Sequence, residues 1–196
     1  MQLLKIEQKL VSYDRTGEIE LISLHKVKHR IASLGVNNEL KGYLVDQLLK
    51  ENEAYRVQSK SQKYCLTPDG IDNATYNTRI FLEDQFSVVK HDFGDLEAMA
   101  LFESSVLPAI ETNVSIIKHW FADNYDNLFY DTNGSIPWPI VQRMRGEFVS
   151  WAEGKSTFDT PIIEIIEEVA TDKGYDTSNY DSYEDLWVEL KKFTKK

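Results

Sequence analysis

Apolar residues along this chain recur mostly at three- and four-residue steps, and the breaks in that rhythm divide it into helices. Leu24, Val27 and Ile31 share one helix face, with Ser23 placed to cap the first turn and Gly35 placed as a left-handed residue beyond the last. Leu40, Leu44 and Leu48 repeat every fourth position, widened by Val45 and Leu49, behind Asn37 or Asn38 as N-cap. Past Glu53 the rhythm becomes alternating. Tyr55 and Val57 alternate with Arg56 and Gln58, and Tyr64 and Leu66 with Lys63 and Cys65, across a short polar tip at 59–62. Thr67-Pro68 then opens another helix, because proline at the first helical position lacks only an N–H that had no partner. Upstream, Leu3, Ile6 and Leu10 predict a first helix over 2–13, and Ile19 and Leu21 a short strand after the turn at 14–17.

Helix, tight turn, helix, hairpin and helix start, in that order, predict a winged helix-turn-helix domain over residues 1–72. The ending YCLTPDG resembles the close of the wing in winged-helix regulators of the MarR and PadR type, where the last strand runs into a Thr-Pro or Thr-Glu helix start and a glycine. The resemblance implies a fold shared by transcription factors, replication proteins and subunits that bind only protein.

The remainder, 73–196, reads as an acidic helical domain for oligomerisation or partner binding. A helix runs from Pro68 to about Val89, and Gly94 is a hinge. A long helix carries Leu96 to Phe121, and Pro108 inside it should bend or split it near Ser104–Ser105. Residues 124–135 read as a loop, and Pro137 and Pro139 open a helix around Trp138. Thr160-Pro161 starts a further helix that ends before Gly174, and Ser182 with Asp185 starts the last. The expected fold class is mostly α with a small antiparallel sheet, an N-terminal winged helix followed by a helical C-terminal region.

Composition sharpens this picture. At 196 residues and 42% hydrophobic, the chain has enough apolar surface for a core. No apolar run reaches the roughly 18 residues of a transmembrane helix, and Lys5, Glu7 and Lys9 interrupt the apolar start in a way a signal peptide does not. Cys65 is the only cysteine, so the chain can close no disulfide on itself, and a buried small residue is expected there. A cytoplasmic location and no membrane association are expected. The net charge of −10 is uneven. Residues 1–72 hold 11 Lys and Arg against 10 Asp and Glu, and residues 73–196 hold 11 against 22. A body of net −11 repels a polyanion held close to it, so any DNA contact belongs to the N-terminal part.

The candidate DNA-binding residues follow from that division. Lys26, Lys28 and Arg30, with His29, lie on the polar side of the 24–31 helix; Asn37 and Asn38 stand at the start of the next, with Lys41, Gln47 and Lys50 along it; Arg56, Lys60 and Lys63 line the wing. Asn and Gln suit adenine edges and Lys suits guanine or phosphate, while basic wing residues hold phosphates. Glu39 and Asp46 on the same helix oppose this. His25 and His29 are four apart, yet Lys26 stands where a zinc protease has its glutamate, so no metal is expected. Gly154-Lys155-Ser156-Thr157 echoes the end of a phosphate-binding loop, but Val149 occupies the place of its first glycine. Glu164, Glu167 and Glu168 read as the solvent side of an amphipathic helix. No catalytic residues and no cofactor are expected. The function expected is a non-enzymatic transcriptional regulator that binds double-stranded DNA as a dimer through its C-terminal helices. The alternatives are an acidic protein-binding subunit of a chromosome-organising or defence ATPase assembly, or a mobile-element protein that binds a host factor.

Overall fold

The computed structural model describes residues 22–52, 63–64, 66, 68–89, 94–129, 136–158 and 162–193. These residues are helical almost throughout: α1 (Leu24–Ile31), α2 (Asn38–Glu51), α3 (Pro68–Val89), α4 (Asp95–Leu101), α5 (Leu107–Phe129), α6 (Trp138–Ala152), α7 (Ile162–Asp172) and α8 (Tyr183–Leu190). A π-helical stretch, Phe102–Val106, joins α4 to α5 without a break. Pro108 has no N–H to offer the preceding turn, and the helix responds by widening: the Leu107 N–H bonds the Phe102 carbonyl five residues back. The proline therefore acts at the place its position predicts, by a wide turn.

The winged helix does not hold. Among the described residues the only strand pairing is antiparallel and two residues long, Ile22–Ser23 against Lys63–Tyr64. That is far short of the roughly five residues of an ordinary strand, and it makes no wing hairpin. The alternation of Tyr64 and Leu66 has another cause. Leu66 is buried as a single anchor at the entry to α3 rather than as one position of a strand. The expected first helix at 2–13, the strand at Ile19 and Leu21, the segment 55–62 with Arg56 and Lys60, Cys65, Thr67 and Thr160-Pro161 all lie outside the described residues.

Two further expectations change. Residues 124–129 are not loop but the last turns of α5, because Tyr125 continues its buried stripe. Gly35 is not left-handed; among the described glycines only Gly154 and Gly174 have positive φ. Each of these two ends a helix. The Lys155 N–H reaches back to the Ser150 carbonyl and Gly154 to Trp151, and Tyr175 and Gly174 repeat the pattern on Ala170 and Thr171. The Gly-Lys-Ser-Thr run is thus the stop of α6, not a phosphate cradle.

One hydrophobic core runs from Val27 to Leu190. Ile110, Val114, Ile117, Phe121 and Tyr125 line the buried side of α5. Tyr125 meets Phe148 of α6 at 4.3 Å between ring centroids, and the Trp120 indole N–H donates to the Ser33 hydroxyl between α1 and α2 at 3.1 Å. Helix α3 joins α6 through the Trp151 indole N–H, which donates to Asp72 at 2.7 Å, and joins α5 through Arg79 and Glu111 at 2.6 Å. The hydrogen bond to Glu83 and the Glu111 charge raise the Arg79 pKa against the pull of burial. Arg143 of α6 grips Glu147 on its own helix and Glu168 of α7. Burial alone would lower its pKa, but the two carboxylates outweigh it and hold it raised. Tyr183 of α8 donates to Glu167 at 2.7 Å. Glu167 and Glu168 are therefore ties from α7 to its neighbours, and only Glu164 simply faces solvent.

Gly70 is the most confined of the described glycines. A Cβ there would overlap the side-chain amide of Asn52, which is fully buried and donates to the Leu48 carbonyl at 2.7 Å. The amide cannot swing aside without leaving a polar group unpaired in the core. Gly70→Ala is expected to lower unfolding free energy by about 1–3 kcal/mol in a urea titration. A loss within the error of the titration would show that α3 shifts freely against the end of α2.

Candidate nucleic-acid interface

Whether α1 and α2 can read DNA depends on which polar atoms remain free once the helices are packed. Helix α2 is bounded on two sides. Leu40, Leu44, Val45 and Leu48 face the core. The neighbouring stripe faces α3, which runs antiparallel to it. The Gln85 amide donates to Glu39 at 3.3 Å, Tyr43 stacks on Phe81 at 4.1 Å, and the Asn77 amide bridges Gln47 at 3.0 Å and Glu51 at 3.1 Å.

The candidate side chains divide accordingly. Asn37 is the N-cap: its side-chain oxygen accepts the Leu40 N–H at 2.8 Å. Lys41 donates to the Ala32 carbonyl at 2.9 Å and so fastens the start of α2 to the preceding turn. Gln47 is half-buried against α3. Asn38 and Lys50 are exposed on α2, in line with Gly42 and Asp46. On α1, Lys28 is exposed, while Lys26 and Arg30 are half-buried. Lys63 lies in the two-residue strand Lys63–Tyr64, its backbone paired with Ser23. Arg56 and Lys60 are outside the described residues.

The structure therefore brings Lys28 together with exposed His25 and His29 on one helix, the two imidazoles lying near-parallel at 6.4 Å. It leaves on α2 a stripe of Asn38, Gly42, Asp46 and Lys50, whose one positive and one negative charge cancel. Among the described residues no group of three or more His, Cys, Asp or Glu is placed to hold a metal ion, and no helix is long and apolar enough to cross a membrane.

Sequence reasoning missed the internal partners. Asn77 carries no signal in its own neighbourhood that it will occupy Gln47. The four-residue series Glu39, Tyr43, Gln47, Glu51 does repeat along α2 beside the leucine stripe, and matches Asn77, Phe81 and Gln85 on α3 in reverse order. Asn37→Ala is expected to cost about 1 kcal/mol of stability through the lost cap, with Asn37→Asp retaining most of it, both read by thermal and urea unfolding. Equal stability of the two variants would remove Asn37 from the fold and return it to the surface.

No protein-family model, no curated protein and no solved structure matches the chain.

Proposed function

We propose that this chain works without catalysis, by binding another protein through its acidic helical body. The observation that carries this reading is the commitment of α2. A helix that reads a major groove presents several donors to base edges from one exposed face. Here Asn37, Lys41 and Gln47 direct their polar atoms to Leu40, Ala32 and Asn77 of the same chain. The outward stripe keeps Asp46 beside Lys50 and offers no net attraction to phosphate. The net −11 over residues 73–196 opposes a polyanion further. Exposed apolar side chains on the C-terminal helices, Leu96 and Met99 foremost, support a protein partner, since contact surfaces pair apolar centres with charged rims.

One observation favours a second reading. His25, Lys28 and His29 all face solvent on α1, so that helix presents a basic edge that suits phosphate contact by a DNA-binding regulator. Fluorescence anisotropy with a mixed-sequence duplex at low salt separates the two. Under the protein-binding reading no saturable binding is expected tighter than the roughly 10⁻⁶–10⁻⁴ M of non-specific contact, and Lys28→Glu with Lys50→Glu changes nothing. Nanomolar binding that these two substitutions abolish would give the function to DNA.

A further inference from the structure

Leu96 is 87% exposed and Met99 is 61% exposed, and the two lie three residues apart on one side of α4. Single exposed apolar residues are ordinary. Phe102, three residues on from Met99, and Val106 one turn further continue this side and are only half covered. Phe102 rests on Phe86 at 5.2 Å, so α3 closes one side of this apolar end and leaves the other open. Within α4 only Ala98 is buried.

The surroundings are acidic. Asp84, Asp95, Glu97 and Glu103 are all exposed. Of the seven Asp and Glu between Ile80 and Ile117, Glu83 and Glu111 are paired with Arg79 and Asp92 lies outside the described residues, which leaves these four. Asp95 and Glu97 suit the positive end of the helix dipole at the start of α4. Glu103 lies beyond that first turn, in the π-helical stretch, where the dipole gives it no such support. An apolar centre with a rim of one sign selects its occupant. A second copy would set these four carboxylates against the same four, and nucleic acid or an anionic lipid surface is repelled in the same way. A basic amphipathic helix satisfies both features: apolar side chains cover the centre and lysines or arginines meet the rim.

We infer that the face of α4 centred on Leu96 and Met99 docks a basic amphipathic helix of a partner protein, whose cations meet Asp95, Glu97 and Glu103. This rests on the protein-binding reading above and names the chemistry of its partner. The three methionines make the test direct, because Met99 is exposed and Met144 is buried. The full chain, labelled with ¹³C at the methionine methyls, is titrated with a synthetic peptide of about 18 residues, long enough to hold a helix, with leucines at helical spacing and lysines elsewhere. A peptide with the same leucines and glutamates for lysines is the control. The Met99 methyl is expected to shift saturably with the lysine peptide while Met144 stays in place, and the glutamate peptide is expected to do nothing. Leu96→Ser with Met99→Gln, followed by peptide fluorescence, and separately Glu97→Lys with Glu103→Lys, are each expected to weaken binding roughly tenfold or more. All four positions are exposed, and an unmoved Met144 methyl in the charge-reversed variant and an unchanged circular dichroism spectrum in both report that the fold is kept. Absence of binding, saturation with Met99 unmoved, equal binding of the glutamate peptide, or indifference to either pair of substitutions each overturns the inference. So does a dimer in sedimentation that Leu96→Ser dissociates, which would give the face to a second copy. None of these results touches the duplex titration, so the partner chemistry and the protein-binding reading fail separately.

Discussion

Ile110, Val114, Ile117, Phe121 and Tyr125 form a continuous apolar edge along α5, and the helices around it close on that edge. Full burial of a side chain of this size contributes about 1.5–3 kcal/mol, so the edge is a large share of what holds the chain together. It also fixes directions. Phe148 of α6 reaches it at Tyr125, Arg79 of α3 reaches its helix at Glu111, and Ser33 between α1 and α2 reaches it at Trp120. Three separate stretches of chain are thereby referred to one rod. The cation of Lys118, 4.7 Å from the Trp151 ring, sits on the same rod and adds to the hold of α6.

With α5 in place, the surroundings of α2 follow. Its leucine stripe must face the core, and α3 then lies along the adjoining stripe. A helix covered on two sides has little circumference left, and on α2 that remainder is Asn38, Gly42, Asp46 and Lys50. Side chains on the covered stripes are drawn inward even where they are polar, because a buried amide left unpaired is costly. Gln47 and Asn77 answer each other for that reason. Polar residues suited to DNA by type become, by position, the joints of a helix pair.

Much of the helical architecture was legible in the sequence. The rhythm of Leu40, Leu44 and Leu48 places α2, Pro108 marks the irregular turn, Gly174 marks the end of α7, and Ser182 caps α8 through the Asp185 N–H. What misled was a local resemblance to alternation. Two or three residues in period two are compatible with a strand or with one anchored side chain, and Leu66 is the latter. A loop expected from Asn124 rests on the polar type of that residue, whereas the buried stripe continues past it to Tyr125. The roles of Lys41, Gln47, Glu167 and Glu168 were not legible at all. Each depends on a partner at a distance in sequence or on a turn whose path only packing sets, and side-chain type alone does not choose between solvent and such a partner.

The acidic end of the long helix has a further physical meaning. From Asp95 to Val106 the chain extends the rod of α5 by roughly 18 Å, with only Ala98 buried in α4. Helices this short draw little stability from themselves, so α4 is held chiefly by continuity with α5 through the widened turn at Phe102–Val106. A surface that is apolar, acidic and held at one end stays accessible without disturbing the core at Phe121. A partner covering it would add the burial that α4 lacks and neutralise carboxylates that now repel one another, and both effects act in the same direction. That coincidence of the two terms on one short element separates this face from the exposed Tyr76 on α3, which has Arg79 one turn on, and from Val188 on α8, where Lys191 and Lys192 follow Glu184, Asp185 and Glu189.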